Sequence, residues 1–179
     1  MTLFKDMDAR FFIVFGVNSA LFFLMGILGD ILSVVGAYIY IPAFLIVSSS
    51  LFLKFWQAMF MAVFFGFLFE AQTPLDNALT PALFAAASFV VYGLRAKFRS
   101  LDSFGITWLT WSVNMSMYLL SVLFIFPIGV SGAWAYFLRV VFDAVFSSLV
   151  AALFSAYVVN LNKSVAYLLG VSLNVGDNA

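Results

Sequence analysis

The chain has 179 residues, of which 65% are hydrophobic and 9% charged, and its eight basic and eight acidic side chains balance to zero. Soluble chains carry ~45–50% apolar and roughly 25% charged residues, so there are too few polar groups here to cover a water-facing globule, and a soluble domain and a disordered chain are both excluded. Without Cys or His, thiol catalysis, disulfides, iron–sulfur clusters, His-held haem and His-based zinc sites are excluded; the inventory implies no cofactor, and the charge balance points to no nucleic-acid partner.

The class that remains is an all-α integral membrane protein, a compact bundle forming one transmembrane domain in a lipid bilayer. A spanning helix needs ~20 residues, so about six fill the chain. Lys5, Asp6, Asp8 and Arg10 make the start polar, and Phe11–Gly29 follows without a charge as the first span. That run is long for a signal-peptide core and no A-x-A-like cleavage site follows it, so the segment is expected to be retained. Asp30 closes it. Ile31–Ile41 is interrupted by Gly36 and ends at Pro42. Pro42 lacks an amide donor and disfavours helix at Ile41. The stretch reads as a connector at membrane depth or at the interface, leading into a short second span within 38–53. Lys54 marks a tight turn. Phe55–Phe69 is the third span, ended by Glu70, and a loop with Pro74 and Asp76 leads to the fourth, Leu79–Leu94. Arg95, Lys97, Arg99 and Asp102 form the one concentrated charged loop. Phe104–Phe126 is the fifth span, Pro127, Gly129 and Gly132 turn the chain, and Ala133–Val159 is the sixth. In the tail from Asn160, the apolar stretch Val165–Leu173 is too short to span and reads as interfacial.

Six spans put both termini on one side. That side holds Lys5, Arg10, Lys54, Arg95, Lys97, Arg99 and Lys163, whereas the other holds Arg139 with Asp30, Glu70 and Asp76. Basic residues mark the cytoplasmic side, so the expected topology is N-in and C-in.

Ionisable and polar residues inside spans are the candidates for function. Arg139 and Asp143 stand four apart on one helix face. They are either a buried pair facing a partner helix or cavity, or a snorkelling arginine with a local neutraliser. Glu70 is placed to bind amides at the next helix start, to contact a partner, or to sit in interfacial water. Asn114, near the middle of the fifth span, needs a partner in lipid, either as interhelical glue or as a ligand contact. Trp108 and Trp111 fit an interfacial belt. On the sixth span Ala144, Ser148, Ala152 and Ala156 recur every four residues, with Ser147, Ala151 and Ser155 one position away. Small residues at this spacing let another helix, internal or foreign, approach closely. No Ser/Lys pair, carboxylate dyad, phosphate loop or metal cluster appears in the sequence, which disfavours an enzyme.

Ala62–Glu70 with Gly66 four residues before its acid, then a short loop with Pro74 and Leu75, then Leu79–Thr80–Pro81–Ala82–Leu83 ending in a basic loop, resembles the MreD family of rod shape-determining membrane proteins. Glu70 stands where that family usually has Asp, and Thr80–Pro81 where it often has Gly. The resemblance implies a non-catalytic scaffold of the bacterial inner membrane within the cell-wall elongation complex. Its partners would be an MreC-like bitopic protein, an MreB-like filament and wall synthases. It also implies a fold similar to the substrate-binding subunits of energy-coupling-factor vitamin transporters. Such a subunit is the alternative function, with Asn114, Glu70, Arg139 and Asp143 available to line an outward-facing pocket.

Overall fold

The computed structural model describes residues 9–34, 36, 38–72, 79–98, 103–125 and 133–173. Lys5, Asp6 and Asp8, the loop residues Pro74 and Asp76, Arg99 and Asp102, the turn at Pro127, Gly129 and Gly132, and the tail beyond Leu173 lie outside them. The described residues form six α-helices and no strand: α1 Ala9–Ser33, α2 Ala43–Phe52, α3 Phe55–Glu70, α4 Leu79–Leu94, α5 Ser103–Ile125 and α6 Ala133–Leu168, with a 3₁₀ turn Arg95–Phe98 after α4. Three stretches, Ala9–Ser33, Leu79–Lys97 and Phe137–Leu168, are long and apolar enough to cross a bilayer. This is the make-up of an all-α membrane protein.

Polarity is arranged inside out. Phe12, Phe23, Leu123, Leu153 and Tyr167 lie on the outside, while Asn18, Ser48, Ser49, Ser50, Gln57, Ser88, Thr110, Asn114, Ser147 and Asn162 are buried. In water this distribution would be unstable; in hydrocarbon it is the favourable one, because an apolar side chain loses nothing by facing lipid and a polar one must find a partner inside.

Contacts along the helices set their directions. Phe11 meets Phe60 and Phe22 meets Phe69, so α1 and α3 run parallel. Phe55 meets Phe89 and Tyr92, so α4 returns antiparallel to α3. Thr107 pairs with Ser155 and Tyr118 with the Val140 carbonyl, so α5 and α6 are antiparallel. Arg10, Lys54, Arg95 and Lys97 therefore share one end of the bundle, together with the Lys163 end of α6. Asp30, Glu70 and Arg139 share the other.

The α3–α4 hairpin is the closest helix pair, and its crossing depends on Gly66. A Cβ on Gly66 would lie 2.5 Å from the Pro81 Cα and 3.0 Å from its nitrogen. Only a residue without a side chain permits that approach. Proline supplies an α4 backbone that lacks an amide hydrogen at the contact.

The least expected element is α2. It has ten residues, about 15 Å of helix, and every one is buried. It packs against α1, α3, α4, α5 and α6. The segment 38–53 is expected from sequence as a short second span; its helical part is about half the length needed to cross a ~30 Å hydrocarbon core and is buried throughout, and because α1 and α3 run parallel the chain returns between them through α2 together with the non-helical residues 38–41. Residues 38–41 before it are not helical. Pro42 forms the start, its carbonyl accepting from the Leu45 and Ile46 amides at 3.1 and 3.2 Å.

α6 also differs from expectation. It continues without a break past Val159 to Leu168, 36 residues in all, or about 54 Å. Asn162 does not stop it, because its side-chain amide donates to the Val158 carbonyl one turn back at 3.1 Å. The stretch read as a separate interfacial segment begins within this helix.

Candidate functional site

Around α2 the buried polar side chains gather. A buried short helix has ends that neither water nor lipid can satisfy, so its neighbours do so. At the entrance, the Tyr38 amide donates to Asp143 Oδ1 at 3.1 Å and the Tyr40 amide to Ser147 Oγ at 3.1 Å. The Ser147 hydroxyl lies 3.4 Å from the Tyr38 carbonyl, which it bonds in turn. Asp143 and Ser147 are one helical turn apart, and the amides they accept from, those of Tyr38 and Tyr40, are two residues apart. Two residues of the segment before α2 thus match one turn of α6, which ties the segment to that helix. The Tyr40 hydroxyl reaches Ser121 on α5 at 3.1 Å.

Along α2, the Asn18 side-chain amide donates to the Leu45 carbonyl at 3.2 Å, and Ser48 donates back to Asn18 Oδ1 at 2.9 Å. Ser50 pairs with Ser88 of α4 at 2.9 Å. At the exit, Arg95 donates from Nη1 to the Leu53 carbonyl at 3.3 Å. Its guanidinium carbon lies 3.8 Å from the centre of the Tyr92 ring. Arg95, in the charged loop expected after the fourth span, is buried; a cation aimed at the C-terminal end of a helix is where the helix dipole favours it.

The residues singled out from sequence divide into three groups. Asp143, Ala144 and Ser148 are buried on α6 and face the bundle, with Ser148 Oγ 2.7 Å from Met115 Sδ of α5. Ala152 and Ala156 are half-buried, and the row Ser147, Ala151 and Ser155 beside them is the deeper one. The small face of α6 is therefore used internally, against α5 and the segment before α2. Arg139 reaches Asp143 at 3.8 Å, but its side chain is 66% exposed and that of Asp143 only 7%. The arginine points out and the aspartate in, so the pair has one member in each of the two roles considered. A contact that loose and that exposed contributes little; the amide of Tyr38 is the stronger partner of Asp143.

Asn114 is fully buried, and among the described residues neither atom of its amide has a hydrogen-bond partner. By helical spacing it shares a face of α5 with Ile106, Thr110 and Met117, all of them buried. Glu70 is the last residue of α3 and half-buried, and Gly66 forms the α3–α4 contact described above.

A cavity of about 470 Å³ opens at the end of the bundle that carries Asp30. Its walls include Phe22, Gly26, Asp30, Tyr38, Phe69 and Gln72. Its size suits a small molecule. Neither Asn114, Glu70, Arg139 nor Asp143 lines it. Among the described residues no group of three or more acidic side chains is arranged to hold a metal ion.

Sequence reasoning passed over Asn18, Ser147 as a backbone acceptor, and Arg95 as a cap. Asn18 carried a usable signal, being the one amide side chain in the first span. For Ser147 and Arg95 the signal depends on what lies opposite, which spacing along the chain does not show. Comparison of the chain with protein-family models, with characterised proteins and with solved structures returns no match.

Proposed function

We propose that the chain is a non-catalytic, six-pass scaffold of the bacterial inner membrane, N-in and C-in. In this reading it acts in the cell-wall elongation complex as an MreD-like protein does. Its work is to present a fixed bundle surface to an MreC-like bitopic protein, an MreB-like filament and the wall synthases. The observation that carries this reading is where the polar side chains go. Asn18, Ser48, Ser50, Ser88, Arg95, Asp143 and Ser147 hold α2 and the segment before it, rather than converging on a cavity. Polar groups used in this way give a single, rigid bundle. The Gly66–Pro81 contact adds support, because it falls on the residues that carry the MreD resemblance. The basic end, with Arg10, Lys54, Arg95 and Lys97, supports the topology.

A tagged full-length chain, isolated from gently solubilised host membranes, is expected to bring with it a single-span partner of the elongation machinery. Recovery of an ATP-driven transporter's coupling subunit in its place would overturn the proposal.

The cavity beside Asp30 favours a second reading, a substrate-binding subunit of a vitamin transporter. In that case purified protein retains a small molecule at one per chain, and Gly26→Phe, which fills the cavity from α1, releases it. The scaffold reading expects no stoichiometric small molecule.

A further inference from the structure

α4 packs closely on α3 and touches α5 only lightly. Between α4 and α5 a groove of about 340 Å³ is left, because Ala86, Ala87, Ser112 and Ser116 are too small to close it. On α4 it runs from Leu83 to Leu94 and on α5 from Leu109 to Leu120, about 16 Å along each helix. That is about one leaflet of a ~30 Å hydrocarbon core. Its length matches one acyl chain in one leaflet and is too short for a membrane-spanning partner helix.

One end of the groove is chemically distinct. Leu94 is followed directly by the 3₁₀ turn with Arg95 and Lys97. Lys97 is exposed. Arg95 is held by the Leu53 carbonyl and the Tyr92 ring, and among the described residues no carboxylate pairs with either cation. The exposed rings of Phe104 and Trp108 stand at the same end of α5, where aromatic side chains mark the headgroup level. An apolar slot one leaflet deep, with Arg95 and the exposed Lys97 at its headgroup end, has the chemistry of a site for an anionic lipid.

We infer that the α4–α5 groove binds one anionic phospholipid, one acyl chain lying between Ala87 and Ser116 and the phosphate at Lys97. The site holds under either reading of the function, since it uses none of the residues that distinguish them.

The test is photolabelling of purified full-length protein in detergent. The probes are a phosphatidylglycerol and a phosphatidylcholine that carry the same diazirine-bearing acyl chain. The phosphatidylglycerol probe is expected to label peptides from 83–94 and 109–120 at up to one per chain, in preference to phosphatidylcholine. Lys97→Gln should cut that preference about fivefold, the contribution of one surface lysine to anionic-lipid binding. Lys97 makes no hydrogen bond or ion pair among the described residues, so this variant leaves the bundle intact. Ser116→Phe should abolish labelling in the groove by both probes. Equal labelling by the two lipids, a preference unchanged in Lys97→Gln, or labelling that survives Ser116→Phe would each overturn the site. So would a co-purifying protein crosslinked to the groove in place of lipid.

Discussion

Ser147→Ala tests how the segment before α2 is held. The Ser147 side chain accepts from the Tyr40 amide at 3.1 Å and lies 3.4 Å from the Tyr38 carbonyl. Ser147 and Tyr40 are both buried. Alanine removes one oxygen, leaves a negligible void, and strands the Tyr40 amide where no water reaches it. An orphaned buried donor costs about 1–3 kcal/mol, and a membrane interior pushes toward the upper part of that range. We therefore expect Ser147→Ala to lower unfolding free energy by about 2 kcal/mol. Ser148→Ala is the internal control. It deletes the same atom one position along the same helix, but that hydroxyl meets a thioether, a weak acceptor, so the loss should stay under about 0.5 kcal/mol. Reversible denaturation of the purified protein in mixed micelles, followed by circular dichroism, measures both. Equal losses for the two, or a Ser147→Ala protein within about 0.5 kcal/mol of wild type, would refute the reasoning.

Three further outcomes are expected. Gly66→Ala forces its new Cβ against the Pro81 backbone and should cost about 1–3 kcal/mol, while Gly16→Ala, which meets nothing within 4 Å, should be neutral or gain up to about 1 kcal/mol; thermal unfolding of the pair decides it. Arg95→Met removes the donor to Leu53 and the cation over Tyr92 and should cost about 2 kcal/mol or more, with Arg95→Lys intermediate, read by the same micelle titration. Asp143→Asn keeps an acceptor for the Tyr38 amide and should lose less than about 1 kcal/mol, whereas Asp143→Leu removes it and should lose about 1–3 kcal/mol; similar losses would show that charge, not the hydrogen bond, is what matters there.

Much of the architecture was legible because hydrocarbon imposes few options. A chain this apolar must be helical. The changes of direction at Lys54 and Glu70 stand out against uncharged runs, whereas α1 continues past Asp30 to Ser33, and Pro42 stops helix on its N-terminal side, as the non-helical residues 38–41 show. The burial of α2 was not legible. A run such as Ala43–Phe52 is equally apolar whether lipid or five other helices surround it, and only its length hints at the difference. The burial of Arg95 is not legible for a related reason: a cation just past a span gives no sign of the carbonyl it caps, 42 positions earlier. The full length of α6 is not legible either: Asn160, Asn162 and Lys163 look like a boundary, yet a helix can continue beyond the end of a span with polar residues. On the site, Asp143 and Ser148 were picked out by position within an apolar helix, and both are buried. Their partners, the Tyr38 amide and the Met115 thioether, are tertiary facts that intramembrane polarity alone does not contain.

The central functional claim is tested most directly by the width of living cells. Depleting the chain in its host and following single cells by microscopy should give rounded or widened cells. Wild-type chain should restore shape and Asp143→Leu should restore it poorly, while accumulation of labelled vitamins stays normal throughout. Cells that keep their normal width while losing uptake of a labelled vitamin would contradict the scaffold and establish the transporter subunit in its place.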